Sequence, residues 1–129
     1  YYDAIGLGID FTARDLQQKA KEKSLPWDLA KGFDSSAPLS SVFKPVSSFK
    51  DLRNISFRLD INGQLKQKGN TSLMLFNFEY IIYFISKFFT LKSGDLIFTG
   101  TPKGVSPVVP GDKLSAYLEH DKMLEFEVR

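Results

Sequence analysis

Cysteine is absent from the 129 residues, which removes disulfides, thiolate nucleophiles and thiolate-held metals and suits a reducing, intracellular compartment. Histidine occurs once, at His120, so a metal held here must rely on oxygen ligands or on that one imidazole. A long apolar run is also missing. The most hydrophobic stretch, Leu73 to Phe89, is interrupted by Asn77, Glu79, Ser86 and Lys87 and falls short of the ~18 unbroken apolar residues of a spanning helix. It is expected to be a core helix, and a membrane partner is not expected. Seventeen Lys and Arg against fifteen Asp and Glu leave a net charge of +2 without a dense basic block, which gives a nucleic-acid partner little support. Lys19, Lys21 and Lys23 spread around a helix and form a solvated face. The chain opens at Tyr1 with no Met, basic segment or small-residue cleavage site, so no targeting peptide is visible. It is expected to be cut from something longer.

What is present is globular. Hydrophobic residues make up 43%, with twelve Phe and five Tyr, a composition able to build one core but too short for two ordinary domains. Tyr1 to Ile9, with Gly6 and Gly8 among aliphatics, suits a strand packed closely against another backbone. Thr12 and Asp15 have the spacing of a capping box for a helix from about Ala13 to Lys23, with Leu16 and Ala20 as its buried stripe. Pro26 to Gly32 suggests a one-turn helix, and a long irregular stretch follows to about Asn54, a length often associated with function. Ile55, Phe57, Leu59 and Ile61 alternate with polar residues and precede Asn62-Gly63, the clearest hairpin signal in the chain. Ser72 is placed to cap a helical region that includes Phe78 to Phe89, whose aromatics imply burial on most sides. Leu96 to Thr99 is expected as a short buried strand after the Ser93-Gly94-Asp95 turn. Two more strands, at about Lys113 to Leu118 and Met123 to Val128, are joined by Glu119 to Lys122.

Chemistry has a few places to sit. Asp10 ends the first strand, Arg14 lies one helical turn on and Gln17 follows on the same face, so a carboxylate, a guanidinium and an amide can converge. The plainer alternative is a capped surface helix with an Asp10–Arg14 pair. Thr99-Gly100-Thr101-Pro102-Lys103-Gly104 suits a loop whose amides face an anion, or simply a tight turn; its spacing is not that of a nucleotide-binding loop. Lys31, beside apolar neighbours, could support an oxyanion, or snorkel at the surface. Glu125 and Glu127 point to one side of a strand and could chelate a hard cation, although a terminal strand ordinarily has a wet face. His120 reads as a turn residue.

Taken in order, Asp10-x-Thr-Ala-Arg-Asp-x-Gln17, Leu25-Pro-Trp-x-Leu-Ala-Lys-Gly-Phe33, Asn62-Gly63, Gln67 to Phe76 and Gly94-Asp-x-Ile-x-Thr-Gly-Thr-Pro-x-Gly104 resemble the fumarylacetoacetate hydrolase family over essentially the whole chain, and most closely its acylpyruvase-type members. The resemblance implies an α+β domain built as a mixed β-roll or sandwich with peripheral helices. It implies hydrolysis of acylpyruvates to pyruvate and a carboxylic acid, with oxaloacetate decarboxylation alongside. Asp10 would be a metal ligand, with Mg²⁺ the usual ion and Mn²⁺ or Ca²⁺ as substitutes. Arg14 and Gln17 would line the site, Lys31 would contact substrate and stabilise a pyruvate enolate, and Gly100 and Thr101 would receive the substrate carboxylate. Gln67, Thr71, Ser72 and Met74 would be architectural. A homodimer in the cytoplasm or mitochondria is the implied setting.

The family's Glu-x-Glu metal ligands and its His and Glu lid lie N-terminal to the Asp10 motif, where this chain has only nine residues and Asp3 as its one acid. The expectation is therefore an incomplete domain with little activity alone. Glu125 and Glu127 match no ligand position in the family. Two other readings stay open: an isomerase or decarboxylase acting on a 2-hydroxydienoate-type intermediate, and a fold that binds without catalysing.

Overall fold

Asn62 and Gly63 adopt φ of 51° and 74°, the left-handed pair a tight hairpin turn demands. They join strand β3 (Ser56–Ile61) to β4 (Gln64–Asn70) in the computed structural model, which describes residues 2–129. Tyr1, assigned by sequence to the first strand, lies outside the described residues. Strand β3 is paired on both edges, with β4 and with β5 (Lys113–Leu118), and β5 pairs in turn with β6 (Asp121–Glu127). The resulting order is β4-β3-β5-β6, antiparallel throughout. Asn62 also clasps the turn to β5: its amide donates to Asp112 Oδ1 at 2.8 Å and its carbonyl accepts from the Lys113 amide at 2.9 Å.

Period-two alternation sorts the two faces of this sheet. Phe57 stands opposite Leu118, Leu59 opposite Ala116 and Ile61 opposite Leu114. Leu114, Ala116, Leu118 and Ile61, with Ile55, are buried. The other face is polar, with Arg58 over the Tyr117 ring at 4.0 Å and bonded to Asp60.

The first segment forms a two-residue strand, β1 (Ala4–Ile5), against β2 (Lys44–Pro45), with a further bridge from Gly8 to Leu39. Amide bonds from Ser40 to Leu7, Ile9 to Pro38 and Phe11 to Ser36 continue this antiparallel run, so the stretch expected to be irregular supplies its partner. The close approach expected at the two glycines is made by rings, not backbone: a β-carbon at Gly6 would meet Phe43 at 2.6 Å, and one at Gly8 would meet Phe98 at 2.5 Å.

Helix α1 (Arg14–Glu22) starts after Ala13, with no side-chain cap, so the expected capping box is not made; the Thr12 hydroxyl is engaged elsewhere. Its expected stripe is also displaced. Leu16 is exposed and Gln17 is the buried residue, because the helix turns Gln17 inward where Arg14 satisfies its amide oxygen. Helix α2 (Asp28–Lys31) ends at Gly32 and buries Ala30. Helix α3 (Phe78–Ser86) is capped by Asn77, not Ser72, through its Oδ1 accepting the Tyr80 amide at 2.8 Å.

Two further expectations fail. The aromatics of α3 and its C-terminal turn are not enclosed: Tyr80, Tyr83, Phe84, Phe88 and Phe89 are exposed, several stacked on one another. Leu96 to Thr99 forms no strand, and among the described residues its backbone has no backbone partner. Tyr83, Phe89 and the Leu96 to Thr99 stretch line a cleft of about 2030 Å³ floored by the inner face of β3 and β5, whereas Tyr80, Phe84 and Phe88 lie outside its lining. Among the described residues nothing fills it. The accessible surface is 9580 Å², against the roughly 6,900 Å² of a compact monomer of this mass, 14.6 kDa. The excess is about 2,700 Å².

Stability should depend on acid in a defined direction. Asp112 is held below its ordinary value of 3.8 by the Val109 amide and Asn62, Asp121 by the Lys44 ammonium, and Glu125 below 4.5 by Lys122 and Ser115. Lowered folded values stabilise above the unfolded values and lose that contribution as pH falls through them. Thermal melts should be insensitive to these groups from about pH 7 to about pH 5 and shift down below about pH 4; a midpoint that rises on acidification would contradict the assignment.

Candidate functional site

Asp10 leaves the β1 segment between two backbone anchors, the Ile9 amide on Pro38 and the Phe11 amide on Ser36, while the Phe11 ring packs edge-on against Phe126 of β6. Three residues later the Ala13 amide donates to the carbonyl of buried Ala30 at 3.0 Å. That bond fixes α2 beside the Asp10 strand and brings Lys31, the next residue, across it.

The result is a three-point contact. Lys31 Nζ donates to both Asp10 oxygens at 2.9 and 2.8 Å and to Thr12 Oγ1 at 2.7 Å. All three ammonium protons are thereby used. The pair is partly solvated, with side chains 33% and 40% exposed, so screening holds its net worth to roughly 0.2–1 kcal/mol.

The expected convergence of Asp10, Arg14 and Gln17 is only partly found. Arg14 turns from Asp10 and donates through Nη1 to Gln17 Oε1 at 3.0 Å, and Gln17 is buried. Asp10 takes Lys31 as its cation instead. The reason is local: Lys31 arrives with a second acceptor, Thr12, on the same side of the extended Asp10–Thr12 segment, whereas Arg14 has an amide oxygen one helical turn ahead. Thr12 joins this contact although its spacing to Asp15 points to a helix cap; the signal for its place is the i, i+2 spacing from Asp10, which puts both side chains on one face of an extended chain.

Across the cleft, Gly100 and Thr101 share the lining with Asp10, Thr12 and Arg14. Gly100 and Gly104 have φ of 119° and 100°, conformations a β-carbon resists. At Gly104 such an atom would also meet the Lys66 carbonyl oxygen at 2.5 Å. Gln67 braces the same loop by donating to the Pro102 carbonyl at 3.1 Å, and Thr71 ties Leu52 to Ile55. Both act on architecture. Glu125 is exposed and bonded to Lys122 and Ser115 on the outer face of the sheet, and His120 is exposed in its turn.

The profile of the family described as Fumarylacetoacetate (FAA) hydrolase C-terminal matches residues 3–129. The chain belongs to the fumarylacetoacetate hydrolase family. Among curated relatives, the mitochondrial oxaloacetate tautomerase of Bos taurus is 44% identical over 99% of this chain and 58% of its own length. The mitochondrial oxaloacetate decarboxylase of Dictyostelium discoideum is 44% identical over 99% of this chain and 59% of its own. The crystal structure of fumarylpyruvate hydrolase from Pseudomonas aeruginosa in complex with Mn²⁺ and pyruvate superposes with a TM-score of 0.86 at 32% identity, covering 98% of this chain and 53% of that one. The α+β fold is thus that of fumarylacetoacetate hydrolase proteins. The chain spans less than two thirds of the length of these relatives.

Whether these residues alone could hold a divalent ion can be tested on the geometry. Among the described residues no three His, Cys, Asp or Glu side chains come together, and both Asp10 oxygens are taken by Lys31. A hard cation needs several oxygens at once. This chain's own residues do not make up that shell.

The glycine loop is open to a direct check. Gly104→Ala should cost roughly 1–3 kcal/mol from backbone strain, lower the urea midpoint and speed tryptic cleavage at Lys103; unchanged cleavage would mean that Gly104 does not hold the loop.

Proposed function

We propose that this chain is the C-terminal part of an enzyme that works on small 2-keto acids through a pyruvate-type enolate, turning over oxaloacetate or hydrolysing acylpyruvates. The observation that carries it is the gathering on one cleft of the Asp10 carboxylate, Thr12 and the Gly100–Thr101 loop, with the Lys31 ammonium bonded to the first two from beside the lining. The names of the relatives support it, and they move weight from acylpyruvate hydrolysis toward oxaloacetate.

The chemistry follows from what these groups can do. Amides and the hydroxyl around Gly100 and Thr101 suit a carboxylate. Lys31 is a compact cation whose donors rest on Asp10 and Thr12, two residues of the cleft lining, and a charge so placed suits an oxygen that gains negative charge beside them. Three reactions pass through that charge. In hydrolysis, water adds to the distal carbonyl, the carbon–carbon bond breaks, and its electron pair leaves with the pyruvate fragment as an enolate that is then protonated on carbon. In decarboxylation the same enolate forms as CO₂ departs. In tautomerisation a proton moves between C3 and the keto oxygen without any bond breaking between carbons. Asp10 is the one carboxylate this chain would contribute to a divalent-metal shell, Mg²⁺ or Mn²⁺, which its described residues do not complete.

The whole enzyme in this proposal binds no nucleic acid, acts as a homodimer and resides in the cytoplasm or mitochondria, the latter supported by the relatives' names. Within the described residues no helix is long and apolar enough to cross a membrane. A second reading, a fold that binds without catalysing, draws on the absence of an acid cluster in the described residues.

The two readings separate in a chimera. This chain by itself should show no turnover of oxaloacetate or an acylpyruvate above that of Asp10→Asn. Grafted in place of the matching region of the bovine relative, it should restore turnover with Mg²⁺, and Lys31→Met should then lower kcat roughly 10²–10³-fold. A folded chimera that stays inactive would favour the binding module.

A further inference from the structure

By resemblance Lys31 would contact the substrate, yet in the structure the hydroxyl beside it is the better placed. All three protons of the ammonium have acceptors, the two Asp10 oxygens at 2.9 and 2.8 Å and Thr12 Oγ1 at 2.7 Å, and Lys31 is not among the cleft-lining residues. Thr12 does line the cleft, together with Asp10, Gly100 and Thr101. It is half-buried, on a segment fixed by the Phe11 amide on Ser36 and the Ala13 amide on Ala30. Its oxygen accepts from Lys31, and no described residue accepts its own proton.

We propose that Thr12 is the member of this pair that touches the substrate: its hydroxyl donates to the oxygen on which negative charge gathers, and Lys31 acts on that oxygen through Thr12. This rests on the reading of the cleft as a 2-keto-acid site given above. The physical case has three parts. A hydroxyl has one donor and two acceptor positions, so an oxygen that accepts from an ammonium still has its proton to give, turned away from Nζ. A charged donor makes a stronger bond than a neutral one, and bonds in a chain polarise one another, which makes the Thr12 proton a better donor than that of a free alcohol. Direct contact by Lys31 would break one of its three bonds, whereas the Thr12 donor is unspent. A donor set in place beforehand needs no reorganisation as the enolate oxygen gains charge. No covalent bond changes at Thr12: its proton stays on Oγ1, Lys31 stays charged, and the enolate takes its proton on carbon.

A double-mutant cycle in the chimera with the bovine relative, assayed on oxaloacetate, tests this. Thr12→Val, similar in shape but without the hydroxyl, should lower kcat roughly 10²–10³-fold, at least as far as Lys31→Met, with KM changed less than about threefold. Thr12→Ser should recover most of that loss. Adding Lys31→Met to Thr12→Val should cost nothing more, because the ammonium has already lost its route to the substrate. A Thr12 that only holds Lys31 for direct contact gives the opposite order, since in Thr12→Val the ammonium is still held on Asp10 and the loss is then smaller than in Lys31→Met. That order, single losses that multiply in the double variant, or wild-type kcat in Thr12→Val each overturn the inference. Circular dichroism melts report the folding of every chimera, and Thr12→Ala takes the place of Thr12→Val if the latter does not fold. The underlying reading fails separately, through a folded wild-type chimera that turns over no keto acid, and it takes this inference with it.

Discussion

An apolar sheet face has to be covered, and everything irregular in this molecule follows from how far the chain can cover its own. Strand β3, hydrogen-bonded on both edges, holds Phe57, Leu59 and Ile61 in one row facing Leu118, Ala116 and Leu114. Those side chains floor a cleft of about 2030 Å³ whose other walls are α3, the β1 segment and the unpaired stretch around Leu96 to Val108. Water is a poor filling for such a space, since transfer of apolar area from water is the main favourable term in folding. Exposed Tyr83 and Phe89 and the absent strand at Leu96–Thr99 both belong to that cleft.

Local patterns therefore carried well into structure, and non-local ones did not. The hairpin around Asn62-Gly63, the two closing strands and the α1 and α2 helices were legible because alternation, turn chemistry and helix stops act over a few residues. Phe78–Phe89 and Leu96–Thr99 have core composition, but composition cannot say whether the covering partner belongs to the same chain. Thr12 was misplaced because a capping box and an ammonium ligand draw on the same hydroxyl, and only the position of α2 decides between them. Gln17 was found as a site residue for its spacing, yet its place is inward, under Arg14. The Asp10, Lys31 and Gly100–Thr101 positions came from resemblance; spacing alone left each with an ordinary alternative, since the contact between Asp10 and Lys31 joins residues 21 apart.

The site inherits the same division of labour. Its rigid parts are built from contacts internal to this chain: the Ala13–Ala30 bond, the Phe11–Phe126 packing and the Gln67 brace on the glycine loop. Asp10 is the acid beside those parts, and a lone carboxylate is better paired than bare, because an isolated charge near apolar walls is poorly solvated. Lys31 gives Asp10 that pairing from a neighbouring helix, at a strength that leaves the contact reversible.

The backbone of Leu96 to Thr99 makes no bond to other backbone among the described residues, whereas β3 is tied on both edges. Peptide groups of the first kind turn to water for their hydrogen bonds, so the same chain holds amides that trade protons with solvent quickly beside others that give them up only when the sheet opens.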